Sequence, residues 1–285
     1  MPVTDGGLLN ILPPPLPGKT AWPWTEQIDP ERYNSRPNWP KLTIVSPSYN
    51  QGDFLEETIR SVLLQNYPNL EYIVMDGGST DGTKEILEKY APWISYQQSR
   101  RDNGQSQAIN MGFSLASGDY YAWINSDDYY LKDIFHLVVS KFLSSGVDFV
   151  YGYVVDFNVA QNKSTLIKVP PFPDYFIKIP TLAQSSCFWS KSIHQPLWEE
   201  LHCALDYELW LRLVKGNKRA RIKQPLSVAQ VHGEAKTSDP KMKAQWHQDH
   251  LKIWSAEGHG PVPEWSRVVF LNKIRMKFLR LFNII

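Results

Sequence analysis

The chain has 285 residues, of which 42 % are hydrophobic and 21 % are charged, as expected for a globular protein with a substantial buried core. Its 30 Lys and Arg residues balance 29 Asp and Glu residues, so charge gives no support to a nucleic-acid-binding function. Two cysteines do not form a disulfide framework, no run of about 18 apolar residues predicts a spanning helix, and the N-terminus lacks a secretory signal pattern. We therefore expect a cytoplasmic protein.

Residues 1–40 are rich in proline, with three consecutive prolines at positions 13–15. Proline fixes φ and has no backbone N–H, so this stretch is predicted to be neither a helix nor an inner strand. We expect an extended arm, with the globular part of the protein beginning near Lys41.

Short apolar runs then alternate with segments of helical periodicity. Strands are predicted over 42–45, 72–75, 94–97 and 120–124, and helices over 55–63, 83–90, 105–116 and 134–138. This alternation predicts a mostly parallel sheet with helices on both faces. Ligands of such sheets bind at the carboxyl ends of the strands, which is where the polar loops of this chain fall.

The second half is less regular. Strands are predicted over 149–157, 219–223 and 226–231, with a loop over 170–180 and a helix over 206–215. A polar loop over 232–238 follows the last of these strands.

Two adjacent carboxylates, Asp127 and Asp128, follow the strand predicted over 120–124. Bare carboxylates would repel a diphosphate, and a divalent cation held by hard oxygen ligands removes that conflict. Mg²⁺ and Mn²⁺ prefer such ligands. Taken alone, an Asp-Asp pair after a strand is equally typical of a turn or a helix cap.

Three further blocks accompany this pair: Ser-Pro-Ser-Tyr-Asn at 46–50, Asp-Gly-Gly-Ser-Thr-Asp-Gly-Thr at 76–83, and a helix-opening block at 102–112 that begins Asp-Asn-Gly-Gln. In this order and spacing, the four blocks resemble glycosyltransferase family 2, whose members have the GT-A fold. The resemblance covers residues 41–240. It implies a Rossmann-like nucleotide-sugar-binding half over 41–128 and an acceptor-binding half over 129–240. Residues 241–285 are predicted to form a helical extension with a basic amphipathic end.

The resemblance also assigns residues to the nucleotide-sugar donor. They are Pro47, Tyr49, Asn50, Asp76, Gly104, Asn125 and Asp127. Asp76 matches the first acid of the usual Asp-Asp-Gly-Ser, but Gly77 replaces the second acid, which often contacts the base. This departure leaves the base open among UDP, dTDP and GDP donors, with UDP favoured by resemblance.

The segment 125–127 resembles the family's Asp-x-Asp motif with Asn125 in place of the first Asp. Asn125 can still hydrogen-bond a ribose hydroxyl. Asp127 matches the residue that holds Mn²⁺ or Mg²⁺, and Asp128 would assist through a hydrogen bond or water. His232 resembles a histidine that supports the metal or the diphosphate, although a lone histidine is as often structural.

Residues 204–212 resemble the segment that carries the family's catalytic base, which is retained here as Asp206. An inverting transfer needs one carboxylate to remove the proton of the acceptor hydroxyl. Asp206 also stands where a helix N-cap would, and Glu208 is the competing candidate for the base. Residues 184–189 are predicted to line the acceptor side, with Cys187 packed rather than nucleophilic.

The sequence thus predicts a metal-dependent, inverting glycosyltransferase that uses a nucleotide-sugar donor and a saccharide or lipid-linked acceptor in polysaccharide or glycolipid synthesis. A nucleotidyltransferase that makes sugar nucleotides is the first alternative, but the loop at 46–52 lacks the basic residues that hold a triphosphate. A non-catalytic sugar-nucleotide- or carbohydrate-binding module is the second, because Gly77 and Asn125 depart from the family pattern.

Residues 267–285 contain five basic residues and no acidic one. As a helix, this segment places a row of large apolar side chains on one face and basic side chains on its flank. The apolar row is Phe270, Ile274, Phe278, Leu281 and Ile285, and the flanking residues are Lys273, Lys277 and Arg280. Such a helix is typical of peripheral attachment to an anionic membrane, here its inner face. The alternative is a helix packed on the protein's own core or on a partner subunit.

Overall fold

A computed structural model of the chain describes residues 6–179, 182–233, 235–236, 240–256, 263–282 and 284, and the side chains of 263–265 are not among those described. The helices are α1 Gly52–Leu63, α2 Thr83–Tyr90, α3 Gln105–Leu115, α4 Ile134–Ser145, α5 Leu205–Val214, α6 Lys243–Ala256 and α7 Pro263–Leu281. The strands are β1 Leu42–Ser48, β2 Leu70–Asp76, β3 Tyr96–Ser99, β4 Tyr120–Trp123, β5 Tyr129–Tyr130, β6 Phe149–Asn158, β7 Lys163–Ile167, β8 Cys187–Ser190 and β9 Arg219–Val231.

Within the described ranges, the nine strands form one sheet in the order β3-β2-β1-β4-β8-β6-β9-β5, with β7 beside β6. The first four strands of this order pair in parallel, as the sequence predicts for a Rossmann-like half. Strand β8 then joins β4 and β6 in antiparallel pairs, and β9 runs parallel to β6. The α/β class with a GT-A-type sheet is confirmed.

The second half of the sheet differs in detail from the sequence prediction. The two strands predicted over 219–223 and 226–231 are one continuous strand, β9, whose pairing with β6 is interrupted by register irregularities between Tyr151 and Val154. Strand β7 is exposed along its whole length. It therefore carries no alternation of buried and exposed positions that sequence patterning could detect.

The parallel strands are apolar because helices and neighbouring strands cover them. All seven residues of β1 are buried, and Leu42, Ile44 and Val45 are fully inaccessible to solvent. Parallel strands buried on both faces consist of near-continuous apolar runs, and such runs allowed these strands to be predicted from the sequence.

The described part of the proline-rich segment, residues 6–40, contains a 3-10 helix at Pro30–Tyr33 and no strand. It is nevertheless packed against the domain, because Leu8, Leu12 and Trp39 are buried in the same hydrophobic core as the sheet. The core therefore takes in side chains that precede Lys41.

Arg60 of α1 attaches this segment to the domain. Its side chain is fully buried, and its guanidinium donates hydrogen bonds to the carbonyls of Pro13, Pro23 and Trp24 and to the hydroxyl of Tyr90, at 2.7–3.0 Å. Segments without regular structure leave carbonyls unpaired, and a planar group with five donors can satisfy several of them at once.

The C-terminal helix α7 packs on the domain through one face. Val268 is buried, and Arg275 donates a 2.7 Å hydrogen bond to the carbonyl of Pro171 while its guanidinium lies 4.5 Å from the ring centre of Phe176. The predicted apolar row lies on a different face and is between 39 % and 74 % exposed over Phe270, Ile274, Phe278 and Leu281. Ile285, the last member of that row, lies outside the described residues. Of the helices in the described ranges, none combines the length and apolarity needed to cross a bilayer.

We expect Arg60→Ala to lower the free energy of unfolding by about 3 kcal/mol or more, because several buried carbonyls lose their donor and each such loss costs about 1–3 kcal/mol. Urea denaturation followed by tryptophan fluorescence measures this change. The control is Arg32→Ala, which removes an exposed 2.8 Å ion pair with Asp133 and should cost less than about 1 kcal/mol. Equal losses in the two variants would contradict the role given to Arg60.

Candidate active site

The loops that follow β1 and β2 are joined by hydrogen bonds at one edge of the sheet. The backbone N–H of Asn50 donates to the Ser79 hydroxyl at 2.7 Å, and the Asn50 side-chain oxygen accepts from the Thr80 N–H at 2.9 Å. The sequence blocks at 46–50 and 76–83 therefore meet in space. Within the first block, Pro47 is buried inside β1, and the Tyr49 side chain is 63 % exposed.

Asp76, the last residue of β2, holds the loop that follows this strand through buried hydrogen bonds. It is 1 % exposed, and one carboxylate oxygen accepts from the N–H groups of Gly78 and Ser79 and from the hydroxyl of Ser99, at 2.5–3.2 Å. The other oxygen accepts from the Ser79 hydroxyl. Both oxygens of the Asp76 carboxylate thus have hydrogen-bond partners in the loop after β2 or at the end of β3.

Gly104, another predicted donor residue, is the N-cap of α3. Its φ of 115° lies in a region that favours glycine, and its N–H donates a 2.8 Å hydrogen bond to Oδ1 of Asp102. Gly104 therefore permits the sharp turn that starts α3 beside the loops described above.

The turn after β4 is held by buried hydrogen bonds. The Thr58 hydroxyl lies 2.9 Å from the carbonyl oxygen of Ser126 and 2.6 Å from that of Asp128, and the Gln230 N–H donates to Asp128 Oδ1 at 3.1 Å. Burial raises the pKa of Asp128 well above its ordinary value, and the neighbouring charge of Asp127 raises it further. Asp128 therefore anchors the turn, and the Asp127 side chain is the more exposed of the two, at 21 %.

His232, at the end of β9, lies beside Asp127. Its Nε2 is 3.2 Å from Asp127 Oδ2, and the Phe54 ring stacks on the imidazole with ring centres 4.4 Å apart. Two ligands of one octahedral Mg²⁺, each about 2.1 Å from the ion, would be about 3 Å apart, so this carboxylate–imidazole pair fits two positions around a cation. The described ranges contain no cluster of three or more His, Cys, Asp or Glu side chains able to hold a metal. Substrate oxygens or water would have to complete the coordination.

Two residues that sequence reasoning missed extend this arrangement. Gln105 donates a 2.9 Å hydrogen bond to Asn125 Oδ1, and Lys236 donates to Gln105 Oε1 at 2.8 Å and to the His202 carbonyl at 3.1 Å. Burial lowers the pKa of Lys236, and the negative charge of Asp127 acts in the opposite direction. The sequence feature that could have identified Lys236 is its position in the same predicted polar loop as His232.

Asp206 lies in the first turn of α5, after the N-cap residue Ala204, so it does not have the N-cap position that its sequence context allowed. It lines a pocket whose other walls are mainly apolar. Those walls are formed by Phe172, Ile177, Ile179, Leu182, Tyr207 and Trp210. Burial raises the pKa of Asp206 from its ordinary value of 3.8 to about 6, partly offset by backbone N–H donors.

The helix that carries Asp206 packs directly on the strand that leads to the Asn-Ser-Asp motif. Trp210, one turn after Asp206, stacks on Trp123 of β4 with ring centres 5.4 Å apart and planes at 15°. Both indoles are almost completely buried. The aromatic contact therefore holds α5 against the strand that precedes Asn125.

Glu208, the competing candidate for the base, is fully buried and forms an ion pair with Arg212. Arg212 Nη2 donates to Glu208 Oε2 at 2.6 Å, and the same guanidinium also binds Gln195 and the carbonyl of Pro196. A carboxylate held in this way is a structural group.

The block at 184–189 is more deeply packed than an acceptor-lining segment would be. Ser185 and Ser186 share hydrogen bonds with the Ser227 hydroxyl at 2.7–2.8 Å, and Cys187 is 1 % exposed and unpaired with Cys203. These residues support the sheet from within, and the adjacent Leu182 lines the Asp206 pocket.

The profile described as "Glycosyl transferase family 2" matches residues 43–196, which is more than half of the chain. The chain belongs to this family. The matched region contains all four sequence blocks at the sheet edge, whereas Asp206 and His232 lie beyond its end.

Curated glycosyltransferases are similar to parts of this chain. The putative teichuronic acid biosynthesis glycosyltransferase TuaG of Bacillus subtilis is 39 % identical over 100 residues, which are 34 % of this chain and 40 % of TuaG. The UDP-Glc:alpha-D-GlcNAc-diphosphoundecaprenol beta-1,3-glucosyltransferase WfgD of Escherichia coli is 28 % identical over 186 residues, which are 64 % of this chain and 72 % of WfgD.

Solved structures of low sequence identity share the fold. S. aureus TarS, residues 1–349, superposes with a TM-score of 0.61 at 18 % identity and covers 79 % of this chain and 68 % of that one. Mannosyltransferase PcManGT from Pyrobaculum calidifontis, in complex with GDP-Man and Mn²⁺, superposes with a TM-score of 0.60 at 16 % identity and covers 85 % and 73 %.

Proposed function

We propose that this family 2 protein is an inverting glycosyltransferase that moves a sugar from a nucleoside diphosphate sugar to an acceptor hydroxyl, with Asp206 as the general base. The observation that carries the proposal is the contrast between two acids of α5. Asp206 lines an apolar pocket with a pKa of about 6, whereas Glu208 is held by Arg212. A pKa near 6 leaves a carboxylate ionised at neutral pH and makes it a better proton acceptor than an ordinary Asp.

In this proposal, the acceptor lies in the Asp206 pocket. Its apolar and aromatic walls suit the faces of a sugar ring, and the single carboxylate orients and deprotonates the attacking hydroxyl. Removal of that proton makes the oxygen a nucleophile for in-line attack at the anomeric carbon, which inverts its configuration as the bond to the diphosphate breaks.

The leaving diphosphate would lie near Asp127, His232 and Lys236. Asp127 and His232 would hold Mn²⁺ or Mg²⁺, which, when bound, neutralises charge on the departing diphosphate. The bound Mn²⁺ of PcManGT supports the choice of metal. Lys236 adds a positive charge from this chain itself, and Gln105 holds Asn125 in place for a ribose hydroxyl.

We further propose a role in cell-envelope polysaccharide or glycolipid synthesis with a lipid-linked acceptor. The support is the printed function of WfgD, which acts on a diphosphoundecaprenol-linked sugar, and that of TuaG, which belongs to teichuronic acid synthesis. A membrane-embedded acceptor requires that the enzyme work at the bilayer surface.

Helix α7 offers a means of attachment to that surface. Its apolar row is exposed although the helix is docked through Val268 and Arg275, and Lys273, Lys277 and Arg280 are exposed as well. Apolar side chains can insert between headgroups while basic ones attract anionic lipids, each contributing about 1 kcal/mol. We therefore propose peripheral attachment to the cytoplasmic face of the membrane.

The test of the base is Asp206→Asn, which keeps the shape of the side chain but cannot accept a proton. With a panel of nucleotide sugars, release of nucleoside diphosphate identifies the donor, and the variant should then lose about a hundredfold to ten-thousandfold in kcat while donor binding is preserved. Because the base must be ionised, wild-type kcat should fall as pH drops through about 6. Unchanged kcat in the variant would refute the assignment.

The same substitution has a second readout. The folded-state pKa of Asp206 lies above that of an unfolded Asp, so ionised Asp206 destabilises the fold above pH 6. Asp206→Asn should therefore retain or raise the thermal midpoint at pH 7.5. The matched variant Glu208→Gln should lower the thermal midpoint, because it leaves the partly buried Arg212 without its charge partner.

The test of the metal site is Asp127→Ala, which should abolish turnover and weaken nucleoside diphosphate binding measured calorimetrically with Mn²⁺. Asn125→Asp should keep activity, since the Gln105 amide that donates to Asn125 Oδ1 can donate equally to a carboxylate. Full activity of Asp127→Ala, or of the wild type in excess EDTA, would exclude the proposed metal dependence.

The test of the membrane face is sedimentation with vesicles. The full chain should bind vesicles containing phosphatidylglycerol more tightly than phosphatidylcholine vesicles, and binding should weaken with salt. A Phe270→Ser/Phe278→Ser/Leu281→Ser variant should lose binding. The control, Leu115→Ser/Leu166→Ser, changes similarly exposed residues elsewhere and should keep it. Equal vesicle binding by both variants would mean that α7 is not the attachment site.

A further inference from the structure

Helix α6 carries a buried carboxylate on the face that packs against the domain. Trp246, Asp249 and Ile253 follow one another at helical spacing, so they lie on the same side of the helix. Trp246 and Ile253 pack against the hydrophobic core, and Asp249 is fully inaccessible to solvent. A charged side chain in an apolar row is costly unless it is hydrogen-bonded, so its partners indicate what it does.

The partners of Asp249 are backbone N–H groups just before α5. Its Oδ2 accepts from the N–H groups of His202, Cys203 and Ala204 at 2.9, 2.7 and 3.4 Å. Its Oδ1 accepts from the side-chain amide of Gln245 at 2.8 Å. Burial raises the pKa of Asp249, but these hydrogen bonds outweigh burial and hold the pKa below its ordinary value. Asp249 is therefore ionised at neutral pH.

The three N–H groups belong to the turn that leads into the helix of Asp206. The side chain of an N-cap residue usually fixes such an entry by accepting a backbone N–H. The N-cap of α5 is Ala204, whose methyl group cannot accept a hydrogen bond. Asp249 fixes the entry instead, from 45 positions further along the chain.

A second contact of α6 reaches the residue that follows Asp206. The ring of His250 lies edge-on to the ring of Tyr207, with ring centres 5.4 Å apart. Tyr207 lines the same pocket as Asp206, and its hydroxyl donates to the Lys178 carbonyl at 2.7 Å. Two consecutive residues of α6, Asp249 and His250, thus hold the chain on both sides of Asp206.

We propose that Asp249 is a positioning residue for sugar transfer: its carboxylate holds residues 202–204 so that the Asp206 carboxylate faces the acceptor pocket. This role rests on the proposed function, because Asp249 acts through Asp206 as the base. The base must lie within hydrogen-bond distance of the attacking hydroxyl, and a misplacement of about 1 Å can cost about a hundredfold in rate. Helix α6, which lies beyond the residues 43–196 that the family profile matches, thereby takes part in the reaction.

The experiment is a double-mutant cycle in kcat on the full chain, measured as Mn²⁺-dependent release of nucleoside diphosphate from the nucleotide sugar that the wild type turns over fastest. Asp249→Ala leaves three N–H groups without their acceptor and should lower kcat about 10- to 100-fold. In Asp206→Asn, which has no base left to misplace, the same substitution should lower kcat less than about threefold. A loss caused by general destabilisation would instead be equal in the two backgrounds.

A milder variant carries the same cycle if Asp249→Ala does not fold. Gln245→Leu keeps the Asp249 carboxylate but removes the amide that orients it. It should lower kcat about fivefold when Asp206 is present, which corresponds to one hydrogen bond, and leave kcat unchanged in Asp206→Asn.

Two further variants are the controls. Asp249→Asn keeps an oxygen for the backbone N–H groups, and the Gln245 amide can turn to accept from the new N–H₂ group, so most of the wild-type kcat should remain. Asp119→Ala removes a carboxylate that accepts the Lys41 N–H at 2.8 Å, where β1 and β4 begin, at the ends of these strands remote from the site. Its kcat should equal that of the wild type.

The outcomes separate this role from the function on which it rests. Equal losses of kcat in the two backgrounds, or no loss in Asp249→Ala alone, would overturn the role of Asp249 and leave the proposed function intact. Unchanged kcat in Asp206→Asn alone, or no metal-dependent release from any nucleotide sugar of the panel, would overturn both.

Discussion

The parallel pairing of β1 with both β2 and β4 is the constraint on which the site depends. The register places Ser48 opposite Asp76 and Val45 opposite Trp123, so the loops that follow all three strands leave the sheet at one edge. A slip of one residue would move every side chain of a strand to the opposite face and disrupt the close packing on both covered faces. The juxtaposition of the base-side loops with the Asn-Ser-Asp turn is therefore a consequence of core packing.

The second half of the sheet brings the remaining groups to that edge. Strand β9 ends beside the turn after β4, where its Gln230 N–H binds Asp128 and the following His232 meets Asp127. Helix α5 is held against β4 by the stacking of Trp210 on Trp123. The positions of His232 and Asp206 thus depend on long-range packing between parts of the chain that are far apart in sequence.

Burial divides the acids of the molecule into two groups. Asp76, Asp128 and Glu208 are buried, and their hydrogen bonds hold loops and helices in place. Asp102, Asp127 and Asp206 retain access to solvent or to a pocket. Placing Asp206 among apolar walls costs stability when it is ionised, and the same desolvation raises its basicity. A strained or desolvated group retained at such a cost is typical of a functional site.

The sequence by itself determined the α/β class, the parallel half of the sheet and the family, because apolar runs and polar loop motifs are local signals. It identified Asp127, Asp206 and His232 as candidates from their neighbours in the chain. Only the tertiary structure decided which acids are engaged, since residues such as Asp76 and Glu208 find their partners through loop geometry or burial. It also placed Gln105 beside Asn125, Lys236 beside Gln105, and Asp102 beside Gly77. Contacts between segments distant in sequence follow from the register of the sheet, and no local pattern of residues encodes them.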